Sequence, residues 1–116
     1  MWTKVAAIAL GLIVGGSEVA VADEWVRLDG PGIEAALTAR VLAYPDGTMQ
    51  DFHASGRTIA GMGEGRWRVD GDLYCSAWPP SESWACYKVE REARGLDLRF
   101  TAGDGAVTVG RYNDLQ

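Results

Sequence analysis

The chain contains a single histidine, His53, and a lone His can be half of a catalytic dyad. Ser55 lies two residues on, so on an extended strand the two side chains point the same way, and a nucleophilic Ser needs such a His nearby, with an orienting acid. Asp51 shares the face of His53, where a carboxylate raises a histidine's pKa. A serine nucleophile also needs an oxyanion hole and a strained turn beneath it. No Gly-x-Ser-x-Gly elbow occurs, and Ser55 stands in an ordinary turn sequence, Ala54-Ser55-Gly56. His53 therefore reads as a solvent-facing residue at a strand end. Glu64, Asp70, Asp72, Glu82, Glu90 and Glu92 gather around turns, as in solvated loops, whereas a glycosidase needs two acids held in an enclosing cleft. Asp104 between glycines lacks the further oxygen ligands of a calcium loop. The run Gly61-Met62-Gly63-Glu64-Gly65 lacks the Lys and the strand-to-helix context of a phosphate cradle. One His and two Cys fall short of the four ligands zinc wants at set spacing. The chain reads as carrying no catalytic residues, no metal and no cofactor.

Two features hold more promise. Cys75 and Cys86 have ten residues between them, and an oxidising compartment would join them. Closing a loop of that size stabilises a small domain by about 3 kcal/mol in the chain-entropy view. Above them lies Trp78-Pro79-Pro80-Ser81-Glu82-Ser83-Trp84, two tryptophans bracketing a stiff tip. Such a loop loses little entropy on docking, and exposed Trp is enriched at binding hot spots. In the other reading both rings fold over the prolines and cap one end of the domain. Tyr44, Tyr74, Trp78, Trp84 and Tyr87 are the candidate lining of a shallow site at one mouth.

These residues need a scaffold, and the first segment is not part of it. Lys4 precedes an uncharged apolar run at residues 5–14, and Ala20-Val21-Ala22 is a small-x-small pattern before Asp23. Residues 1–22 read as a signal peptide and residues 23–116 as one domain. The apolar run breaks at Gly15-Gly16-Ser17-Glu18, short of the twenty or so residues a membrane span requires, so no stable anchor is expected after cleavage. Cleavage removes Lys4 and Glu18, one charge of each sign, and the net charge stays at -5. An acidic chain with scattered arginines does not suggest nucleic acid or an anionic membrane as partner.

Residues 23–28 read as a first strand or a loose arm. Asp29-Gly30-Pro31-Gly32 turns into a short helix with Ile33, Ala36 and Leu37 on its packed face, Asp29 as N-cap and Pro31 in the first turn. Residues 41–44 and 48–52 flank Pro45-Asp46-Gly47, a three-residue hairpin loop that places Leu42, Tyr44, Gln50 and Phe52 on one face. Further strands are expected over residues 57–62, 66–69, 73–78, 84–90, 96–100 and 107–112. Consecutive prolines cannot continue a ladder, so Pro79-Pro80 marks a hairpin tip, with Cys75 opposite Cys86 and Tyr74 opposite Tyr87. In the last hairpin Leu96, Leu98 and Phe100 should face inward. The fold class is mainly β: an antiparallel meander of about seven strands, curled into a small barrel or sandwich, with one short N-terminal helix.

The core face depends on one turn. A three-residue loop at Val69-Asp70-Gly71 would group Trp67, Leu73, Cys75, Ala77, Trp84 and Cys86. A two-residue loop at Asp70-Gly71 would group Trp67 with Tyr74 and Tyr87, leaving Cys75 beside Arg66 and Arg68. The first is preferred because it separates the arginines from the cystine.

The run Gly65-x-Trp67-x-Val69-x-Gly71-x-x-x-Cys75-x-x-Trp78, followed by Trp84-x-Cys86-x-x-Val89, resembles small secreted proteobacterial proteins of uncharacterised function with a lipocalin-like barrel. Tyr44-x-Asp46-Gly47 and Gly56-Arg57-Thr58 are similar to the same group. The resemblance runs from Ile33 to Tyr112 and implies a compact barrel with one cystine in the periplasm; no activity comes with it. Separately, Ser55-Gly56-Arg57-Thr58 with a Trp further on is similar to the inhibitory loop of small periplasmic lysozyme inhibitors. The Tyr after the Gly and the Lys-Gly after the Trp are missing, and the cysteines sit elsewhere.

The functional expectation is a periplasmic or secreted, non-enzymatic binding or accessory module holding a small apolar ligand or an envelope protein. A protein inhibitor of an envelope hydrolase is the alternative, and a small hydrolase using His53 comes third. A barrel this small fills with its own side chains, here Trp67, Phe52, Phe100 and Leu98, which leaves room for a site only near one mouth.

Overall fold

The computed structural model describes residues 24–61 and 63–114. The signal peptide expected over residues 1–22 lies outside the described residues. The described residues form, in order, nine strands and one helix: β1 (Trp25–Arg27), α1 (Gly30–Leu37), β2 (Arg40–Ala43), β3 (Met49–Phe52), β4 (Arg57–Ala60), β5 (Gly63–Asp70), β6 (Leu73–Ala77), β7 (Ala85–Glu92), β8 (Asp97–Ala102) and β9 (Val107–Tyr112). Every pairing is antiparallel. From β2 to β9 each strand pairs with the next, and β9 returns to β2 through Arg111–Ala43 and Tyr112–Leu42. Eight strands thus close a barrel, which leaves only β1 outside it.

The outside strand has a local cause. On one edge of β7, residues Ala85 to Tyr87 pair with β6, and residues Glu90 to Glu92 pair with β1. Where β6 leaves that edge, β1 takes it over, and the backbone N–H of Leu28 still reaches the carbonyl of Val89 at 2.9 Å. The chain then turns inward as α1. Asp29 caps the helix by accepting from the Gly32 N–H at 2.8 Å, and Pro31 sits in the first turn, as the sequence suggests. Ile33 and Leu37 are fully buried, and the Tyr112 hydroxyl donates to the Ala36 carbonyl at 2.7 Å. The helix plugs one end of the barrel.

Turn chemistry sets the register of two hairpins at the other end. In the β2–β3 loop the N–H of Gly47, at φ +90°, donates to the Tyr44 carbonyl at 2.9 Å, and Asp46 accepts from the Thr48 N–H at 2.8 Å. The β8–β9 loop repeats the device: the N–H of Gly105 bonds the Ala102 carbonyl at 2.9 Å, and Asp104 accepts from Ala106 at 3.0 Å. The β2–β3 register then aligns Leu42 with Gln50, putting Leu42, Tyr44, Gln50 and Phe52 on the core face as expected.

The β5–β6 hairpin departs from the preferred reading. Asp70 pairs with Leu73, so the loop is the two residues Gly71 and Asp72, and Arg68 lies opposite Cys75. Trp67, Tyr74 and Tyr87 therefore face inward, and the Cys75–Cys86 disulfide lies on the outer wall. The preference went wrong because it assumed that arginine and cystine should be kept apart. Arginine stems cover apolar surface readily, and Arg66 and Arg68 stack over Trp84, which shares the outer face with Cys86. Cys75 is fully buried even so. Leu98 and Phe100 point inward, but Leu96 is 45% exposed. It precedes β8 in the turn at the plugged end, where its carbonyl accepts from the Tyr112 N–H at 3.1 Å.

The barrel interior below the open mouth is aromatic. Phe52 meets Trp67 edge-on at 5.7 Å and Tyr74 at 5.8 Å, and Tyr74 meets Phe100 at 5.4 Å. Such edge-to-face pairs add about 0.5–1.5 kcal/mol each beyond the area they bury.

Candidate functional site

Up-and-down connectivity puts α1 and the β3–β4, β5–β6 and β7–β8 turns at one end of the barrel. The β2–β3, β4–β5, β6–β7 and β8–β9 loops lie at the other. That second end holds a cavity of about 480 Å³, within the range usual for small-molecule sites. Its wall carries Tyr44, Tyr74, Trp78, Tyr87 and Phe100, with Gln50 and Ser76 below. Four of the five residues expected to line a mouth are thus brought together. The fifth, Trp84, is not among them. Trp84 directly precedes β7, and its ring lies under Arg66 and Arg68 on the outer face, the side that Cys86 takes and opposite to Tyr87. The tyrosines' own pairing already implied this.

Two glycines seat two of the rings. A Cβ built on Gly65 would stand 2.5 Å from the Ala77 carbonyl oxygen and 2.8 Å from Trp78 Cε3. One built on Gly110 would stand 2.9 Å from Tyr44 Cε1. Both glycines are buried positions on inward faces of their strands, and any larger residue would drive a ring into the cavity. In sequence they look like strand weaknesses; only the packed barrel shows what they accommodate.

Polar groups at the floor are arranged in a chain. The Tyr44 hydroxyl donates to Gln50 Oε1 at 2.6 Å, and Gln50 Nε2 donates to Thr58 Oγ1 at 2.9 Å and to the Tyr74 hydroxyl at 3.2 Å. Thr58 in turn donates to the Asp51 carbonyl at 2.6 Å, and Trp78 Nε1 donates to Ser76 Oγ at 3.2 Å. Both Gln50 amide hydrogens are used, which lets a buried Gln stand inside the barrel at little cost. Burial pushes the Tyr44 phenol well above its ordinary range, and nearby Tyr74 and Tyr87 add to the shift. Burial also raises Tyr74, against the opposing effect of its hydrogen bonds from Ser76 and Gln50. Both hydroxyls stay neutral at physiological pH. Asp46 at the lip is held below the usual carboxylate range by the Thr48 N–H, and it stays ionised.

His53 lies at the plugged end, across the barrel from this cavity. Its Nε2 stands 3.8 Å from Asp51 Oδ2, and its carbonyl accepts from Trp67 Nε1 at 2.9 Å. Ser55 is exposed in the adjoining β3–β4 turn. Among the described residues no three His, Cys, Asp or Glu side chains come together as metal ligands. No helix among them is long and apolar enough to cross a membrane.

Sequence reasoning missed Gln50, Ser76, Phe100, Gly65 and Gly110 as parts of the site. An inward Gln between Leu42 and Phe52 was the one available signal, since a buried amide demands partners. Comparison with protein-family models, with curated proteins and with solved structures finds no match to this chain.

Proposed function

We propose that this chain is an exported, non-enzymatic binding module, a small lipocalin-like barrel that holds a small, largely apolar ligand in its open end. The observation that carries the reading is the cavity of about 480 Å³ walled by Tyr44, Tyr74, Trp78 and Tyr87. An aromatic wall over a few hydrogen-bonded polar groups is the usual make-up of a small-molecule site. Export to the periplasm or beyond is supported by the leader-like residues 1–22 and by the Cys75–Cys86 disulfide, a bond at home in oxidising compartments. The absence of a nucleophile elbow in the sequence, and the distance of His53 from the cavity, favour binding over catalysis.

Tryptophan fluorescence tests this directly. Titration with a panel of small aromatic and amphipathic compounds should alter the Trp78 signal and raise the melting temperature, and Trp78→Leu should abolish both responses. A flat response from the whole panel would count against the reading.

A second reading, inhibition of an envelope hydrolase, rests on the β6–β7 loop. Pro79, Pro80, Ser81, Glu82 and Ser83 are all exposed, and the loop is braced by the Ser81 N–H on the Trp78 carbonyl at 3.0 Å and the Ser83 N–H on Ser81 Oγ at 3.2 Å. Pull-down of a hydrolase from envelope extract, lost when residues 79–83 are replaced by glycine and serine, would support it. Equal capture by both proteins would remove it.

A further inference from the structure

We infer that the ligand of the open cavity is a small organic cation bearing a quaternary ammonium group. This rests on the binding reading above and names the chemistry of its ligand. Three independent observations lead to it.

The first is the charge around the cavity. Among the described residues, Asp46 is the only lining side chain ionised at neutral pH, and no Lys, Arg or His lines the space. The described residues of the four loops at the open end, 44–48, 61, 78–84 and 103–106, carry Asp46, Glu82 and Asp104 and no basic residue. A carboxylate or phosphate headgroup entering here would meet like charge and find no counter-ion. A cation would be drawn in by the field of the rim.

The second is the state of the aromatic faces. Trp25, Trp84 and Tyr112, outside the cavity, already have arginines of the same chain over their rings. Arg99 lies 4.5 Å from the Trp25 centroid, Arg68 4.1 Å and Arg66 5.3 Å from Trp84, and Arg40 3.9 Å from Tyr112. Among the described residues, the rings of Tyr44, Trp78 and Tyr87 in the cavity have no such cation. The barrel covers these three rings with its own guanidinium groups and leaves those of the cavity for something else. A cation over Trp or Tyr gains most where water is excluded.

The third concerns the kind of cation. A primary ammonium entering the cavity would need three acceptors in place of its water. The floor holds no carboxylate to supply them: Tyr44, Gln50, Thr58, Tyr74, Ser76 and Trp78 are bonded among themselves, and the acceptor capacity left over belongs to neutral hydroxyl and amide oxygens. A quaternary ammonium asks for no hydrogen bonds and presents a methyl surface that suits aromatic walls.

The test compares three compounds of nearly one shape on the purified chain, by calorimetry and tryptophan fluorescence. They are choline, its neutral carbon isostere 3,3-dimethylbutan-1-ol, and the anion 3,3-dimethylbutanoate. Choline should bind about tenfold tighter than the neutral alcohol, and the carboxylate should not bind measurably. Asp46→Asn should weaken choline several-fold and leave the alcohol unchanged. Trp78→Leu should abolish the preference, with far-ultraviolet circular dichroism as the check on folding. Equal or tighter binding of the alcohol would overturn the cation assignment and leave a binding cavity in place. Silence from all three, together with a flat response from the broader panel, would overturn the assignment and the binding reading at once. The comparison among the three compounds needs only the wild-type chain, so a variant that fails to fold does not blunt it.

Discussion

At the plugged end of the barrel, α1 presses Ile33 and Leu37 into the interior, where both are fully buried. At the open end, Tyr44, Tyr74, Trp78 and Tyr87 stand around a space of about 480 Å³, with an amide and hydroxyl groups below. The plugged end spends its apolar surface on its own helix. The open end keeps aromatic surface beside solvent and puts Gln50 and Thr58, both buried, where a second plug would otherwise sit. The charges differ as well. Acids alone mark the loops of the open end, whereas Arg40 with Asp114 and Arg111 with Asp97 form mixed pairs toward the plugged end. The difference teaches that stability and binding are assigned to opposite ends of the same short strands.

The contrast is broken or sharpened most strongly at the plug. Leu37→Ala should cost about 3 kcal/mol in urea unfolding, because a fully buried leucine is lost from a site the helix cannot collapse. Ligand affinity of the folded protein should stay within about twofold. A parallel fall in affinity would mean that the two ends are not separate.

At the mouth, Gly65→Ala forces Trp78 off its seat. A stability loss of about 2 kcal/mol is expected from overpacking, with ligand-induced fluorescence change lost as well. If binding survives, Trp78 is not part of the wall that matters.

The open-end tyrosines also give the barrel a dependence on alkaline pH. Burial raises Tyr44 and Tyr74 above the unfolded value of about 10. The folded chain holds these protons after the unfolded chain has released them, so their contribution is complete below that pH and is lost as pH rises through the raised values. Each such hydroxyl steepens the loss by up to about 1.4 kcal/mol per pH unit. Urea unfolding of a Tyr44→Phe, Tyr74→Phe double variant should show a shallower decline above pH 10 than the parent. An unchanged slope would put the alkaline sensitivity at the plugged end, where burial raises Tyr112 against the opposing charge of Arg40.

The smallest effect is expected where α1 hands over to β2. Ala39 has φ +62°, a left-handed conformation that costs an L residue energy and glycine little. Ala39→Gly should raise stability by about 0.5 kcal/mol, the relief exceeding glycine's entropy cost. A loss on thermal unfolding would show that the Ala39 methyl contributes packing.

Much of the frame was legible in the residues. Pro45-Asp46-Gly47 set both loop length and register, because the turn positions demand those types. The same logic placed Pro79-Pro80 at a tip, and the spacing of Cys75 and Cys86 around that tip made them opposite. Asp29 and Pro31 announced the helix. The candidate site was legible only in part. Aromatic side chains near hairpin ends pointed to Tyr44, Tyr74, Trp78 and Tyr87, but nothing local identified Phe100, Ser76 or the two glycines, whose roles arise from strands distant in the chain. Trp84 was misplaced because it was read as one of a bracketing pair, although strand alternation set it opposite Tyr87.

By itself, then, the amino-acid order determined the elements, most of the turns and the cross-link, since these depend on φ preferences and on alternation within a few residues. What only tertiary structure decided was which side of the β5–β6–β7 ribbon faces in. Moving that turn by one residue reverses every side chain after it, and both faces of the ribbon offer aromatic and apolar groups. Closure of the barrel chose between them, because Trp67, Tyr74 and Tyr87 fit against Phe52 and Phe100 across the interior, and that fit involves residues far apart along the chain.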